Sequence, residues 1–203
     1  MSNPVFCAEG RIGLFGGSFD PPHRGHLTIA SRAADELRLD QIAFLPALHP
    51  PHKDAQNLTS FSLRSRMLEL CLQEDPRFRL CLVEADEPLT GKTVDTIRKL
   101  RELGFTEDHC HLIWLMGSDS LLELATWHQP EELIQSVEIA ILPRPGFPPE
   151  KAPERYLRKV RVLRIPMLEI SASAIRERRI SLTEAVTPPV EEFIREHGLY
   201  GYE

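Results

Sequence analysis

Cysteine is scarce. The chain of 203 residues holds four, Cys7, Cys71, Cys81 and Cys110, and no two stand as Cys-x-x-Cys. A disulfide framework is therefore not expected, and the thiols read as reduced and buried, Cys71 on a helix and Cys81 on a strand. His109-Cys110-His111 makes no metal site, because consecutive residues entering a strand alternate faces and no fourth ligand stands at a suitable spacing. No apolar run approaches the roughly 18 residues of a membrane span. The opening Met1-Ser2-Asn3-Pro4 lacks a charged-then-apolar leader, so a cytoplasmic protein with no membrane partner is expected. Positive charge is in deficit: 24 Lys and Arg against 30 Asp and Glu leave a net charge of −6, which argues against a nucleic-acid coat but permits a local positive pocket. Repeats, low-complexity tracts and linkers are missing too. A single domain over residues 1–203 is expected, with 42% hydrophobic and 27% charged residues to build an ordinary core.

Two well-known phosphate loops are also lacking. Gly13, Gly16 and Gly17 do not fall at the spacing of a dinucleotide-binding Gly-x-Gly-x-x-Gly. Gly91-Lys92-Thr93 imitates the end of a P-loop, but Asp86 stands where its first glycine is needed, and Glu87 and Pro88 follow. Two carboxylates repel a phosphate and a proline removes a donor.

What is present alternates. Ile12–Phe15, Gln41–Leu45, Phe78–Val83, Leu112–Met116, Ile139–Leu142 and Val160–Ile165 read as short apolar strands. His26–Leu39, Ser62–Gln73, Val94–Leu103 and Pro130–Gln135 read as the helices between them, followed by a short helix near Ser173 and another at Val190–His197. Near-continuous apolar strands alternating with helices predict a Rossmann-like α/β fold: a doubly wound parallel sheet with a small C-terminal helical portion. Ligands of such sheets sit beyond the carboxyl ends of the strands. Two long proline-rich loops, Pro46–Thr59 and Pro143–Pro153, read as functional or mobile.

The most informative stretch follows the first strand. Gly16-Gly17-Ser18-Phe19-Asp20-Pro21-Pro22 leads into His23-Arg24-Gly25-His26 at the mouth of a helix. Glycines allow backbone N–H groups to approach an anion, and a helix N-terminus adds orphan donors and a positive dipole end. Residues three apart on a first turn share a face, so both imidazoles can address one ligand. This combination predicts a polyphosphate.

Other segments supply further chemistry. His52 and Lys53 end the stiff Pro50-Pro51 run and could hold a second anion. Ser171-Ala172-Ser173 opens a helix, with Arg176 expected in its first turn, giving a helix cap and a second phosphate cradle. Gly117-Ser118-Asp119 follows the fourth strand, where Asp119 could accept from a hydroxyl or cap a helix. Trp127-His128 could stack on a flat ring, or Trp127 could simply be packed.

Taken together, Gly16-Gly17-Ser18-Phe19-Asp20-Pro21, His23-Arg24-Gly25-His26-Leu27, Pro50-Pro51-His52-Lys53, Thr93-Val94-Asp95-Thr96, Gly117-Ser118-Asp119 with Trp127, Ile170–Arg176 and His197-Gly198-Leu199-Tyr200 resemble the His-x-Gly-His nucleotidyltransferases. The resemblance is greatest to bacterial nicotinate-nucleotide adenylyltransferases and runs nearly the whole chain in order. It implies direct attack of nicotinate mononucleotide on the α-phosphorus of ATP, releasing pyrophosphate, with Mg²⁺ bridging ATP oxygens and no protein metal site. His23, His26 and Arg176 would be catalytic, a protonated His26 meeting the transition-state charge. Gly16, Gly17, Ser18, Phe19, Gly117, Asp119 and Ser171 would line the ATP site with them. His52, Lys53, Thr93 and Trp127 would meet the mononucleotide. The chain departs from the family at Gly91-Lys92, where Ser-Tyr is usual, and at Ala47, where many members have Asn. The alternatives are adenylyl transfer to another phosphate monoester, such as phosphopantetheine, and a non-catalytic nucleotide sensor. Whether the chain forms a homo-oligomer stays open.

Overall fold

The computed structural model describes residues 8–50, 58–85, 91–166 and 168–203. Six strands lie in one sheet: β1 (Gly10–Gly17), β2 (Gln41–Pro46), β3 (Phe78–Leu80), β4 (Cys110–Gly117), β5 (Glu138–Leu142) and β6 (Arg161–Val162), in the order β3-β2-β1-β4-β5-β6 and parallel throughout. That is the order of a doubly wound sheet.

The helices are α1 (Arg24–Leu37), α2 (Phe61–Cys71), α3 (Thr93–Glu102), α4 (Ser118–Glu123), α5 (Pro130–Ser136), α6 (Glu154–Leu157), α7 (Ala172–Arg176), α8 (Leu182–Ala185) and α9 (Pro188–Glu196). They divide between the two faces. Phe15, Ile113 and Leu115 point to one core, with α1, α2, α8 and α9. Ile12, Leu14, Leu112, Trp114 and Met116 point to the other, with α3, α4, α5 and α6. Alternation along each strand feeds both cores, which is why the strands read as unbroken apolar runs.

Helix α1 shows how the local sequence works. Leu27, Ala30, Ala33, Ala34 and Leu37 form its buried stripe. Arg38 then turns left-handed and the Leu39 amide donates back to the Ala34 carbonyl, closing the helix two residues before the expected end at Leu39. Other boundaries also differ from expectation. β3 stops at Leu80, because Val83–Ala85 coils into a 3-10 turn that carries Glu84 inward. β6 is reduced to Arg161–Val162, an exposed edge pair. α2 ends at Cys71 and a 3-10 turn takes over at Leu72–Glu74. Helix α4 is absent from the sequence reading, and so is α6, which lies just past the second proline-rich loop. Within that loop Pro149–Lys151 forms a 3-10 turn.

The register positions the site. Pairing of β1 with β4 ends at Phe15–Leu115, while Gly16 and Gly17 continue only along β2 and Met116 and Gly117 only along β5. The two central strands therefore part at their carboxyl ends. α1 leaves toward one face and α4 toward the other, and a crevice opens between them.

Candidate active site

Three glycines frame the crevice, and each has a named neighbour. A Cβ on Gly16 would stand 2.8 Å from the Trp114 ring, and one on Gly17 3.1 Å from the Phe19 ring. A Cβ on Gly117 would meet Asp119 Oδ1 at 2.2 Å and Arg144 Nε at 2.7 Å. A side chain at any of the three would press on these neighbours and make them shift. Phe19 occupies the left-handed region, with φ +47°, and its buried ring lies 5.0 Å from the His26 ring, edge to face.

His23 is the N-cap of α1 and His26 is the third residue of the helix. Their rings stack with centroids 3.6 Å apart and planes 24° apart, so the shared face expected from the spacing is realised. The His23 backbone N–H donates to His26 Nδ1 over 3.2 Å, one half of a capping box. That nitrogen is thus a lone-pair acceptor, and Nε2 carries the ring's N–H. An imidazolium, which carries N–H on both ring nitrogens, would have to give up this bond. His23 is 6% exposed, and its pKa falls to about 3, through burial first and the Arg144 cation second. Its Nδ1 is buried without a hydrogen bond and presses on the first turn of α1, 2.9 Å from where a Gly25 Cβ would stand. Gly25 is therefore the residue that lets the His23 ring lie down on the helix.

The turn ahead of His23 is braced from far away in sequence. Arg176 Nη1 donates to the Asp20 carbonyl over 2.6 Å, and the Tyr200 hydroxyl donates to Asp20 Oδ1 over 2.7 Å. Arg176 closes α7 instead of opening it, because the helix starts at Ala172. Ser171 caps it, its Oγ accepting from the Ala174 amide over 3.2 Å. No acidic residue completes a capping box there.

On the other side of the crevice Asp119 lies in the first turn of α4. Its Oδ2 pairs with Arg144 Nη1 at 3.0 Å, while Oδ1 is buried without a partner. Ser118 Oγ accepts from the Arg144 amide over 2.9 Å. Arg144, just past β5, is brought to the crevice by the fold, whereas the sequence around it shows only a proline-rich turn.

Of the residues expected to meet the mononucleotide, Thr93 and Trp127 stand on different elements. Thr93 is the first residue of α3, preceded by the exposed Lys92 as N-cap. Trp127 is half-buried after α4, packed against the second core, with its Nε1 buried and unbonded. Trp127 is thus packed, with one polar atom left unbonded. His52 and Lys53 lie outside the described residues. Ala47 donates its N–H to the Gly17 carbonyl over 2.8 Å, tying this loop to the glycines.

Elsewhere, a cavity of about 400 Å³ lined by Arg101, His111, Glu138 and Lys159 lies at the amino ends of β4 and β5, opposite the histidines. Cys110 is buried there, while His111 is exposed and bonded to Glu138 at 2.7 Å, so the two point apart. Among the described residues no helix is long and apolar enough to cross a membrane.

Comparison with known proteins agrees with this geometry. The model of the cytidylyltransferase-like family matches residues 14–178. A Thermus thermophilus protein named "probable nicotinate-nucleotide adenylyltransferase" is 41% identical over 193 residues, covering 94% of this chain and 99% of its own. A Thermomicrobium roseum protein of the same name is 37% identical over 199 residues, covering 94% and 91%. The structure of Plasmodium falciparum nicotinic acid mononucleotide adenylyltransferase, complexed with NaAD, superposes with a TM-score of 0.75 at 21% identity, covering 96% of this chain and 99% of that one. The chain belongs to the cytidylyltransferase-like family and, within it, to the nicotinate-nucleotide adenylyltransferases.

Proposed function

We propose that the chain transfers the adenylyl group of ATP to nicotinate mononucleotide, giving nicotinate adenine dinucleotide and pyrophosphate. The observation that carries this reading is the stacked His23–His26 pair at the start of α1, set where β1 and β4 part. A phosphate monoester is already largely dianionic at neutral pH, so its oxygen attacks without a general base. A new P–O bond forms at the α-phosphorus and the bond to the bridging oxygen of pyrophosphate breaks, its electron pair leaving with that oxygen. No covalent enzyme intermediate is needed.

The protein's task is positioning and donation to the phosphoryl oxygens. His26 Nε2–H would donate to the oxygens that gain charge. The neutral His23 would turn its outer nitrogen to the same phosphates. Gly16, Gly17, Ser18 and Phe19 shape the floor, Ser171 and the remaining N–H groups of Arg176 would face the departing pyrophosphate, and Gly117 and Asp119 would meet the adenosine. Thr93, Trp127, His52 and Lys53 would hold the mononucleotide.

Mg²⁺, arriving with ATP, would offset charge on the leaving group. Among the described residues no cluster of three His, Cys, Asp or Glu could hold such an ion. Asp20 and Asp119 are bonded to Tyr200 and Arg144.

Pyrophosphate release with ATP and Mg²⁺ tests the reading, comparing nicotinate mononucleotide, nicotinamide mononucleotide and phosphopantetheine. Preference for the nicotinate compound is expected. Activity with phosphopantetheine alone would move the substrate, and silence with all three would point to a nucleotide sensor.

A further inference from the structure

Arg64, on α2, is 0% exposed, the largest charged side chain to be fully buried among the described residues. All three of its nitrogens donate to backbone carbonyls, and the three belong to two different loops. Nη1 reaches Ser18 at 2.7 Å, in the turn between β1 and α1. Nη2 reaches Ala47 at 2.9 Å and Nε reaches Thr59 at 2.9 Å, the two stems of the loop that joins β2 to α2. One planar guanidinium thus spans the nucleotide turn and both ends of the neighbouring loop. A buried arginine is costly in place of an apolar residue, and core packing alone gives no reason for one.

Glu84 extends the same framework. It is 6% exposed, accepts from Thr96 Oγ1 at 3.0 Å and from the Leu48 amide, and faces the Arg64 charge. Leu48 belongs to the loop that Arg64 pins, and Thr96 to the first turns of α3, which begins at Thr93. A Cβ on Gly91 would stand 3.0 Å from the His49 carbonyl, so the loop and the approach to α3 are in contact.

We propose that Arg64 is a positioning residue for the transfer reaction: it fixes the separation between the nucleotide turn and the loop beside it, while Glu84 ties that loop to the start of α3. It touches no substrate. Its effect is to hold the attacking phosphate in line with the α-phosphorus, and it rests on the reading of the reaction given above. Substrate alignment is sensitive to displacements of about 1 Å, which can cost ~100-fold in rate. A lysine at this position keeps the charge but cannot span three carbonyls, because its ammonium is a point and not a fork.

The test is Arg64→Lys, with Leu100→Ala in the second core as a stability control. Melting temperature, kcat, KM for each substrate and calorimetric binding of a non-hydrolysable ATP analogue are measured. Arg64→Lys is expected to lower kcat about tenfold or more and raise KM for the mononucleotide about tenfold, with analogue binding within about twofold of the parent. Leu100→Ala should melt earlier with both KM values unchanged. An Arg64→Lys protein that loses only melting temperature, its KM values intact, overturns the proposal. Should Arg64→Lys fail to fold, Glu84→Gln, which keeps the shape and weakens the tie to Leu48, must raise the mononucleotide KM, and an unchanged KM overturns the proposal equally. If the parent turns over a different phosphate monoester, the substrate reading fails while the same comparison, made with that monoester, still decides the role of Arg64.

Discussion

The Tyr200 hydroxyl donates to the Asp20 carboxylate across 180 positions of sequence, over 2.7 Å. Asp20 is 1% exposed, and burial together with its charge raises the Tyr200 pKa, so the phenol stays a donor at any physiological pH. Tyr200→Phe leaves a buried carboxylate without that donor. A hydrogen bond to a charged group contributes roughly 1.5–3 kcal/mol, and a loss of about 2 kcal/mol in urea unfolding is expected. A change below about 0.5 kcal/mol would mean that the bond is idle.

On the proposed mechanism, His26→Ala would remove a donor aimed at developing charge. Its kcat should fall by ~10²–10³-fold, the usual effect of deleting one such donor. ATP binding should be largely kept, because the ground-state phosphates retain the helix N-terminus and His23. Near-normal turnover would take His26 out of the chemistry.

Gly25→Ala separates helix propensity from site geometry. Alanine is favoured over glycine inside a helix by about 1 kcal/mol. The added Cβ would stand 2.9 Å from His23 Nδ1 and 3.1 Å from its Cε1, inside the space of the ring. The variant should therefore gain no stability and lose at least tenfold in kcat. A more stable, fully active variant would show that the stacked pair tolerates displacement.

The low pKa of His23 makes stability depend on pH in one direction. Below about 6.5 an unfolded chain protonates this residue, while the folded chain, with its pKa near 3, does not. The unfolded state then binds more protons, so stability falls as pH drops from about 6.5 toward 3. Between pH 7.5 and pH 5 the loss from this residue alone is about 2 kcal/mol. Unfolding of the parent and of His23→Asn at pH 7.5 and 5 should differ by this amount, and identical pH dependence would place His23 in solvent.

Local signals made the centre of the fold legible. The strand, glycines and paired histidines occupy seventeen consecutive positions, Gly10–His26, and need no long-range information to be read. The doubly wound parallel sheet followed from the alternation of apolar runs and helices, while its strand order came from the structure. What sequence could not carry was contact across distance. Arg64 and Ser18 are 46 residues apart, Arg144 and Asp119 are 25 apart, and neither pair sits in a periodic pattern. Helix α4 was invisible because six residues hold too few turns to show a period. Arg176 was placed one turn out because either of two serines could cap its helix, and Ser171 does.

The brace that Arg176 and Tyr200 give the Asp20 turn also sets an order of events. Synthesis runs from the amino end, so the turn that bears the histidines is among the earliest parts of the chain to be made. Its partners arrive 156 and 180 residues later. The six strands of the sheet all precede Tyr200 in the chain, so they can pair while the Asp20 turn still lacks this partner. A nascent chain stalled short of Tyr200 should therefore resemble the finished fold by protease resistance yet capture an ATP analogue poorly. Competence for substrate then depends on the segment that carries Tyr200, so the site itself reports that this segment is in place.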